Sequence, residues 1–472
     1  MASRSDQLHS HQFALQRAVG ALAMRDPDPV SSPMRRIGGA LFASVMLAVL
    51  AVAAVGVYGV LRPGSGGAWR QGNAIIIEKE TGARFVYIDQ ILYPVLNSTS
   101  AMLILGTSRT VQVPRSELVD VPRGAPMGIP GAPDPLPGPD QLTHDAWVLC
   151  SRPKAPSDPP SVGAGASVVS VLRVGSAPAG ATELGDGGVL AADPTGHLYL
   201  LWHQRRFALV DEKPALAALN WSRDSATVVP ASVLNAVPAG EDLRLVVVSG
   251  AGTPSPLPGV KVGEVVVVNR LDGTQQYGVA ITNGVSQITR IQALMLLADP
   301  AGSATLHEVS LSDFTDLTRQ PSGPAIDVAD RAPEVAPAQV RPPAGGGVCA
   351  RFLPDTTIPD LLVAQTGEIA PGEVAAPAPA AGVGPSVDFV AVPPGRGVVV
   401  TSLAAAGQKQ GPFAIVCGLG QRFAVPSTDV LNRLGYGGAT VVRLPPAVID
   451  LVPAGPDLDP AKAALPSVTG RS

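Results

Sequence analysis

Charged side chains make up only 15% of this 472-residue chain, and aromatic ones only 4%. A sequence this poor in both does not build one large enzyme core. It suits several modest cores joined by irregular segments. Lys and Arg total 34 against 38 Asp and Glu, and basic residues gather into no patch, so nucleic acid is excluded as a partner. Phosphate-cradling loops of the forms G-x-x-x-x-G-K-[ST] and G-x-G-x-x-G are absent. So is G-x-S-x-G, which removes a nucleophile elbow. The histidines (9, 11, 144, 197, 203 and 307) do not cluster. His197 and His203 would stand ~20 Å apart along a strand, too far to share an ion, so no metal is expected. The carboxylates are scattered, and no catalytic residue is named.

Long apolar runs are equally scarce. There is one, residues 37–61, without a charged side chain. As a helix it reaches ~37 Å, more than the ~30 Å hydrocarbon core of a bilayer. Arg35 and Arg36 close one end and Arg62 the other, which marks the membrane boundary. A secretory signal has a shorter apolar region and a small-residue cleavage site; here Arg62-Pro63-Gly64 follows. The run also lacks the polar face of a buried soluble helix. This is a single membrane span. The Arg35-Arg36 pair and the short tail before it place the N-terminus in the cytoplasm and the body outside. All three cysteines (150, 349 and 417) lie in that body, which suits an oxidising exterior.

Glycine (51) and proline (48) are plentiful. Stretches dense in both, at 124–140, 152–165, 321–347, 371–385 and beyond 456, read as stiff connectors or disordered loops. Between them runs an internal repeat. VPRSELVDVPRG, VPASVLNAVPAG and LPPAVIDLVPAG share Pro, seven residues, Pro, one residue, Gly: Pro114/Pro122/Gly124, Pro230/Pro238/Gly240 and Pro445/Pro453/Gly455. An Arg-Phe pair precedes each, with Phe85, Phe207 and Phe423 standing 22 to 29 residues before the first proline. Short apolar strands at 74–77, 197–202 and 413–417 come before the pairs.

One unit therefore reads as a hairpin with the Phe facing inward, then a short helix such as 214–219 or 428–434, the latter stopped by Gly435. A helical turn follows, its first proline at N1. The plain reading of each pair is that Phe packs the repeat core while Arg covers it with its stem and reaches solvent. Units of this size lean on neighbours. A diverged copy without the Arg-Phe pair spans 262–317, with a strand at 265–268, a helix at 293–297 and LSDFTDL in place of the proline-bounded turn. Two spacers, each with one cysteine (Cys150 and Cys349), flank the middle of the body and suggest one central domain built from both. Three cysteines permit three single pairings; position favours Cys150–Cys349, a bridge worth ~5 kcal/mol in the chain-entropy model. Cys417 reads as a buried thiol in an apolar strand.

In the N-terminal tail, Leu8, Leu15, Val19 and Leu22 recur at helical spacing until Asp26-Pro27-Asp28-Pro29 ends the pattern. A lone helix of this length is marginal, so it docks on a partner protein or on the lipid surface. Its single central basic residue, Arg17, favours the protein.

With these features in hand, the chain resembles EccB, a core membrane subunit of the type VII (ESX) secretion machine of actinobacteria. The similarity is carried by MASRSDQLHSHQFALQRAVGALAMRDPDPVSSPMRRIGGAL, by AIIIEKETGARFVYIDQILYPVLNSTSAMLIL and by RFAVPSTDVLNRLGYG with PPAVIDLVPAGPDLDP. It extends over nearly the whole length. The resemblance implies assembly with EccC, EccD and EccE, pairing of the outside bodies, and a central disulfide that maps onto Cys150 and Cys349. It also implies an ATPase label, which the residues do not explain; ATP enters by resemblance alone, and the reading leans away from an enzyme.

The expected fold is α+β: one transmembrane helix, then an elongated extracytoplasmic body of about four strand-hairpin and helix repeats around a disulfide-stapled, β-rich central domain. The expected divisions are a cytoplasmic tail at 1–36, the span at 37–61 and a linker at 62–70. Repeat one takes 71–132, repeat two 191–248, the diverged repeat three 260–320 and repeat four 401–460. The central domain takes 133–190 and 335–400, and a tail closes at 461–472. The expected function is structural, in an export complex. An extracytoplasmic nucleotide hydrolase and a cell-wall-binding anchor are the competing readings.

Overall fold

The computed structural model describes residues 3–24, 33–61, 67–160, 166–302, 304–319, 331–377, 386–403 and 411–467. The chain divides into two units, 1–71 and 72–472.

The first unit carries the helices Arg4–Met24 and Pro33–Leu61. Within the second, Gly38–Val57 has a mean hydropathy of 2.6, which makes it long and apolar enough to cross a membrane. Where the first helix ends, the Asp26–Pro29 breaker falls outside the described residues.

Among the described residues the second unit holds five sheets, and four of them repeat one plan. Copy one sets strands Ile75–Glu78, Arg84–Ile88 and Ile91–Pro94 as an antiparallel meander. The helix Ser98–Leu105 then carries the chain back, and Thr110–Val113 pairs parallel to the first strand. A crossover of this kind needs a helix's length of chain, and the helix covers one sheet face. Copy two repeats it with Val189–Ala192, Leu198–Trp202, Arg205–Ala208, helix Glu212–Leu219 and Thr227–Val228. Copy four does so with Gly397–Ser402, Phe413–Cys417, Arg422–Val425, helix Thr428–Arg433 and Val442–Leu444.

The diverged copy has the same order: Val265–Asn269, Gln275–Ile281, Gly284–Ile288, helix Arg290–Ala298 and Leu306–Glu308. A short extra strand, Thr318–Arg319, pairs beside its third. Thr289 caps the Arg290 helix through a reciprocal capping box with Gln292.

Three details differ from the sequence reading. The first strands of copies two and four, Val189–Ala192 and Gly397–Ser402, begin inside stretches assigned to the central domain; each adds a strand ahead of the two-strand Arg-Phe hairpin, directly after the turn stretches 185–188 and 393–396. Pro114, Pro230 and Pro445 stand at the N-cap rather than N1, with ψ of 148°, 145° and 136°. Extended backbone there lets each proline carbonyl open the turn, accepting from Glu117, Val233 and Val448 N–H. And the stretch 124–140 is no loose connector: Ile129 and Ala132 are buried in the core that copies one and four share, and Asn97 Nδ2 donates to Ile129 O at 2.9 Å.

The fifth sheet has seven strands, drawn from both spacers: Glu373–Ala375, Phe389–Ala391, Val168–Val174, Trp147–Pro153, Gly347–Phe352, Asp360–Gln365 and Ala179–Glu183. One face, with Trp147, Leu149, Leu172 and Phe352, packs against the sheets of copies two and four in the largest core. Copy two also shares a core with copy three, through Phe207, Leu219, Ile291 and Met295. The Ala179–Glu183 edge is exposed, and a bulge at Gly180 (φ 60°) blunts it against pairing with another strand.

Candidate interaction elements and the disulfide-tied centre

On the helix Arg4–Met24 the sequence-selected residues Leu8, Leu15, Val19 and Leu22 are all exposed, Leu22 at 86%. Their spacing of seven, four and three residues lines them along one side. Asp6 lies in the first turn, where it complements the helix dipole. Arg35 and Arg36 fall near the start of the helix Pro33–Leu61, and Arg62 lies outside the described residues.

Phe85, Phe207 and Phe423 are buried in their repeats. They are not, however, at equivalent positions. Phe207 and Phe423 stand on the third strand of their meanders; Phe85 stands on the second. The third-strand position in copy one belongs to Tyr93. Backbone bonds show the correspondence: Leu92, Arg206 and Arg422 N–H donate to the Pro122, Pro238 and Pro453 carbonyls, and their own carbonyls accept from Gly124, Gly240 and Gly455 N–H. Tyr93 lies 21 residues before its proline, against 23 for Phe207 and 22 for Phe423, so the structural spacing is the tighter one.

The arginines do more than cover the core. Arg206 Nε donates to Val237 O at 3.1 Å, and Arg422 Nε to Val452 O at 3.0 Å. Each of those carbonyls precedes a proline that cannot continue the turn's hydrogen bonding, and the guanidinium satisfies it. In copy one Arg84 instead pairs with Asp134 at 3.0 Å.

Cys150 and Cys349 form a disulfide. They face one another across the neighbouring antiparallel strands Trp147–Pro153 and Gly347–Phe352, with Cα atoms 4.0 Å apart, and close a separation of 199 residues. The bridge joins the two spacers that the sequence places far apart. Cys417 is free and buried, and burial pushes its thiol up from the ordinary value.

Two positions along from Cys150, on the same sheet face, sequence reasoning missed a buried ionic cluster. Arg152 is fully buried; Nη1 and Nη2 each reach a carboxylate oxygen of Asp158 at 3.0 Å, and Nη2 reaches Glu373 Oε1 at 2.8 Å. Its guanidinium carbon lies 4.8 Å from the centre of the Phe389 ring. The Arg152 hydrogen bond holds the Asp158 carboxyl below its usual range. Burial lowers Arg173, whose Nη2 donates to Glu368 O at 3.3 Å. Asp158 and Glu373 sit in proline-rich stretches with no local periodicity, so nothing in the sequence marked them.

A polar pocket opens at the far edge of the same sheet, lined by Glu183, Asp186, His203, Gln204 and Asp360 among others. Its carboxylates are already partnered: Arg351 pairs with both Glu183 and Asp360, and His203 Nε2 lies 3.0 Å from Asp186. Among the described residues no group of metal-ligating side chains gathers.

The family profile described as "Type VII secretion system ESX-1, transport TM domain B" matches residues 1–468. The chain belongs to the EccB family. Over 97% of its length it is 25% identical to the ESX-3 secretion system ATPase EccB3 of Mycobacterium tuberculosis, covering 88% of that protein. The ESX-2 secretion system ATPase EccB2 of the same organism is 31% identical over 67% of the chain and 63% of its own length. Among solved structures, the EccB3 dimer from the ESX-3 core complex matches 83% of this chain and 100% of its own, with a TM-score of 0.60 and 27% identity. A chain of an intact ESX-5 inner membrane complex matches the fold over 100% of this chain and 97% of its own, with a TM-score of 0.64 and 22% identity. The EccB fold thus accounts for the four repeats, the central sheet and the N-terminal helices together.

Proposed function

We propose that this EccB chain is a structural core subunit of a type VII secretion complex in the cytoplasmic membrane. It contributes a cytoplasmic docking helix, one span, and an outside body that pairs with a second copy. The observation that carries this reading is the pairing of a family match over residues 1–468 with a single apolar helix at Gly38–Val57. Its partners are EccC, EccD and EccE type subunits, a second copy of itself and membrane lipid. The N-terminus lies in the cytoplasm and the repeat body outside. The exposed leucine stripe of Arg4–Met24 is the docking face, since apolar side chains at this spacing seat an amphipathic helix in a partner's groove.

The test replaces Leu15 and Leu22 together with Asp. Membrane insertion should persist while the other subunits are lost from the complex purified through this chain; undiminished co-purification would remove the docking face.

The named relatives carry the word ATPase, which keeps a second reading in play. A hydrolase requires phosphate release by the full chain in detergent that survives repurification and is abolished by a defined point substitution. The structural reading predicts no such release.

A further inference from the structure

The disulfide shares its face of the central sheet with buried charged side chains as well as apolar ones. Cys150 and Arg152 are two residues apart on one strand and so face the same way. On the next strand Val171 is opposite Cys150, and Arg173 is opposite Val148, on that face too. Val171 packs with Val169, Phe389 and Ala370, which places the segment around Ala370 over this side of the sheet.

What fastens the segment is ionic. Arg173 donates to Glu368 O; Arg152 holds Glu373, whose other oxygen takes the Ala370 N–H at 2.9 Å. The same guanidinium grips Asp158, which in turn accepts from Ala155 N–H at 2.7 Å. One buried side chain therefore ties two separate segments, one around 155–158 and the covering one around 368–373, two residues along the strand from a cysteine of a disulfide whose two residues are at most 1% exposed.

We infer that the Arg152–Asp158–Glu373 cluster is a latch that governs access of thiol reductants to the Cys150–Cys349 bond. With the latch closed, no thiolate reaches either sulfur. When the segment around 368–373 lifts, an external thiolate attacks one sulfur, forms a mixed disulfide with it and expels the other cysteine as thiolate. A second external thiol then resolves the mixed disulfide, so two external thiols are oxidised to a disulfide while the protein bond is reduced to two thiols. Buried ion pairs suit such a device: intact they are specific, and loss of one partner leaves a charge stranded, so the closed state fails as a unit.

The experiment measures the rate of disulfide reduction by dithiothreitol in the full chain, in detergent and on a Cys417→Ser background, counting thiols by maleimide mass after quenching. Glu373→Gln should raise the rate at least tenfold with sheet content and size unchanged. Asp457→Asn, which removes the pair with Lys462 far from the central sheet, should leave it within twofold. Equal rates in Glu373→Gln and the parent would overturn the latch. Should Glu373→Gln fail to fold, the parent alone decides. Under the latch its reduction rate changes only weakly with low concentrations of urea, as a local opening does. A urea dependence as steep as that of global unfolding would overturn the proposal.

Discussion

The ring of Phe423 occupies the space a side chain on Gly455 would need: Cε1 lies 2.6 Å from where a Cβ at that position would stand. Gly240 meets Phe207 in the same way, and Gly124 meets Tyr93. The glycine that ends each Pro-x7-Pro-x-Gly motif thus exists for a ring on the third strand, and the bond from its N–H to that strand keeps the two backbones close. Gly455→Ala should cost about 1–3 kcal/mol through overpacking. Urea unfolding followed by tryptophan fluorescence would show a lowered midpoint. An unchanged midpoint would mean the ring can move aside.

The disulfide closes a separation of 199 residues, about half of the body, into one loop. Replacing Cys150 and Cys349 together with Ala should destabilise the oxidised protein by up to ~5 kcal/mol, and by about 2–5 kcal/mol if the usual range holds. Thermal scans with and without reductant check this: reductant should lower the parent's transition and leave the double variant's where it is.

The Asp158 carboxyl is held below its ordinary range chiefly by its hydrogen bond from Arg152. Its folded value is thus lower than its unfolded one. The stability it contributes is complete above the unfolded carboxylate value and is lost as pH falls through the lower, folded one. Stability of the parent should therefore hold from neutral pH to about 5 and decline below about 4, in the range set by carboxylate pKa values. Asp158→Asn should flatten that decline. Denaturant midpoints measured from pH 7 to pH 3 on both proteins provide the check.

Cys417 is buried, with its thiol pushed up by loss of solvent, and its strand forms part of the core shared by copies one and four. It should resist iodoacetamide at pH 8 in the folded chain and react at once in denaturant. Fast modification without unfolding would contradict the placement.

Much of this architecture was legible in the residues, and the exceptions have physical causes. The candidate span was readable because its length, its lack of charge and its lack of a polar face all agree. The diverged copy was found by its strands and by Leu311–Leu317, which matches the helix as observed. Copy one misleads because it offers three aromatic side chains, Phe85, Tyr87 and Tyr93, and only the last meets its glycine. Had Gly124 rather than the Arg-Phe pair been taken as the anchor, the spacing would have chosen Tyr93. The strands Val189–Ala192 and Gly397–Ser402 lie beyond the sequence reading because an Arg-Phe hairpin is complete with two strands, and a short apolar run ahead of it has too little periodicity to claim a third place. The ionic cluster gave no signal at all, since Arg152 and Glu373 are separated by 221 residues and meet only through the sheet.

The most direct test of the account is a census of mass and composition for the assembly extracted in mild detergent through a tag on this chain. The account predicts one large species with at least two copies of the chain and other membrane subunits of the secretion complex. A single copy running alone, from membranes in which those subunits are present and intact, would contradict it.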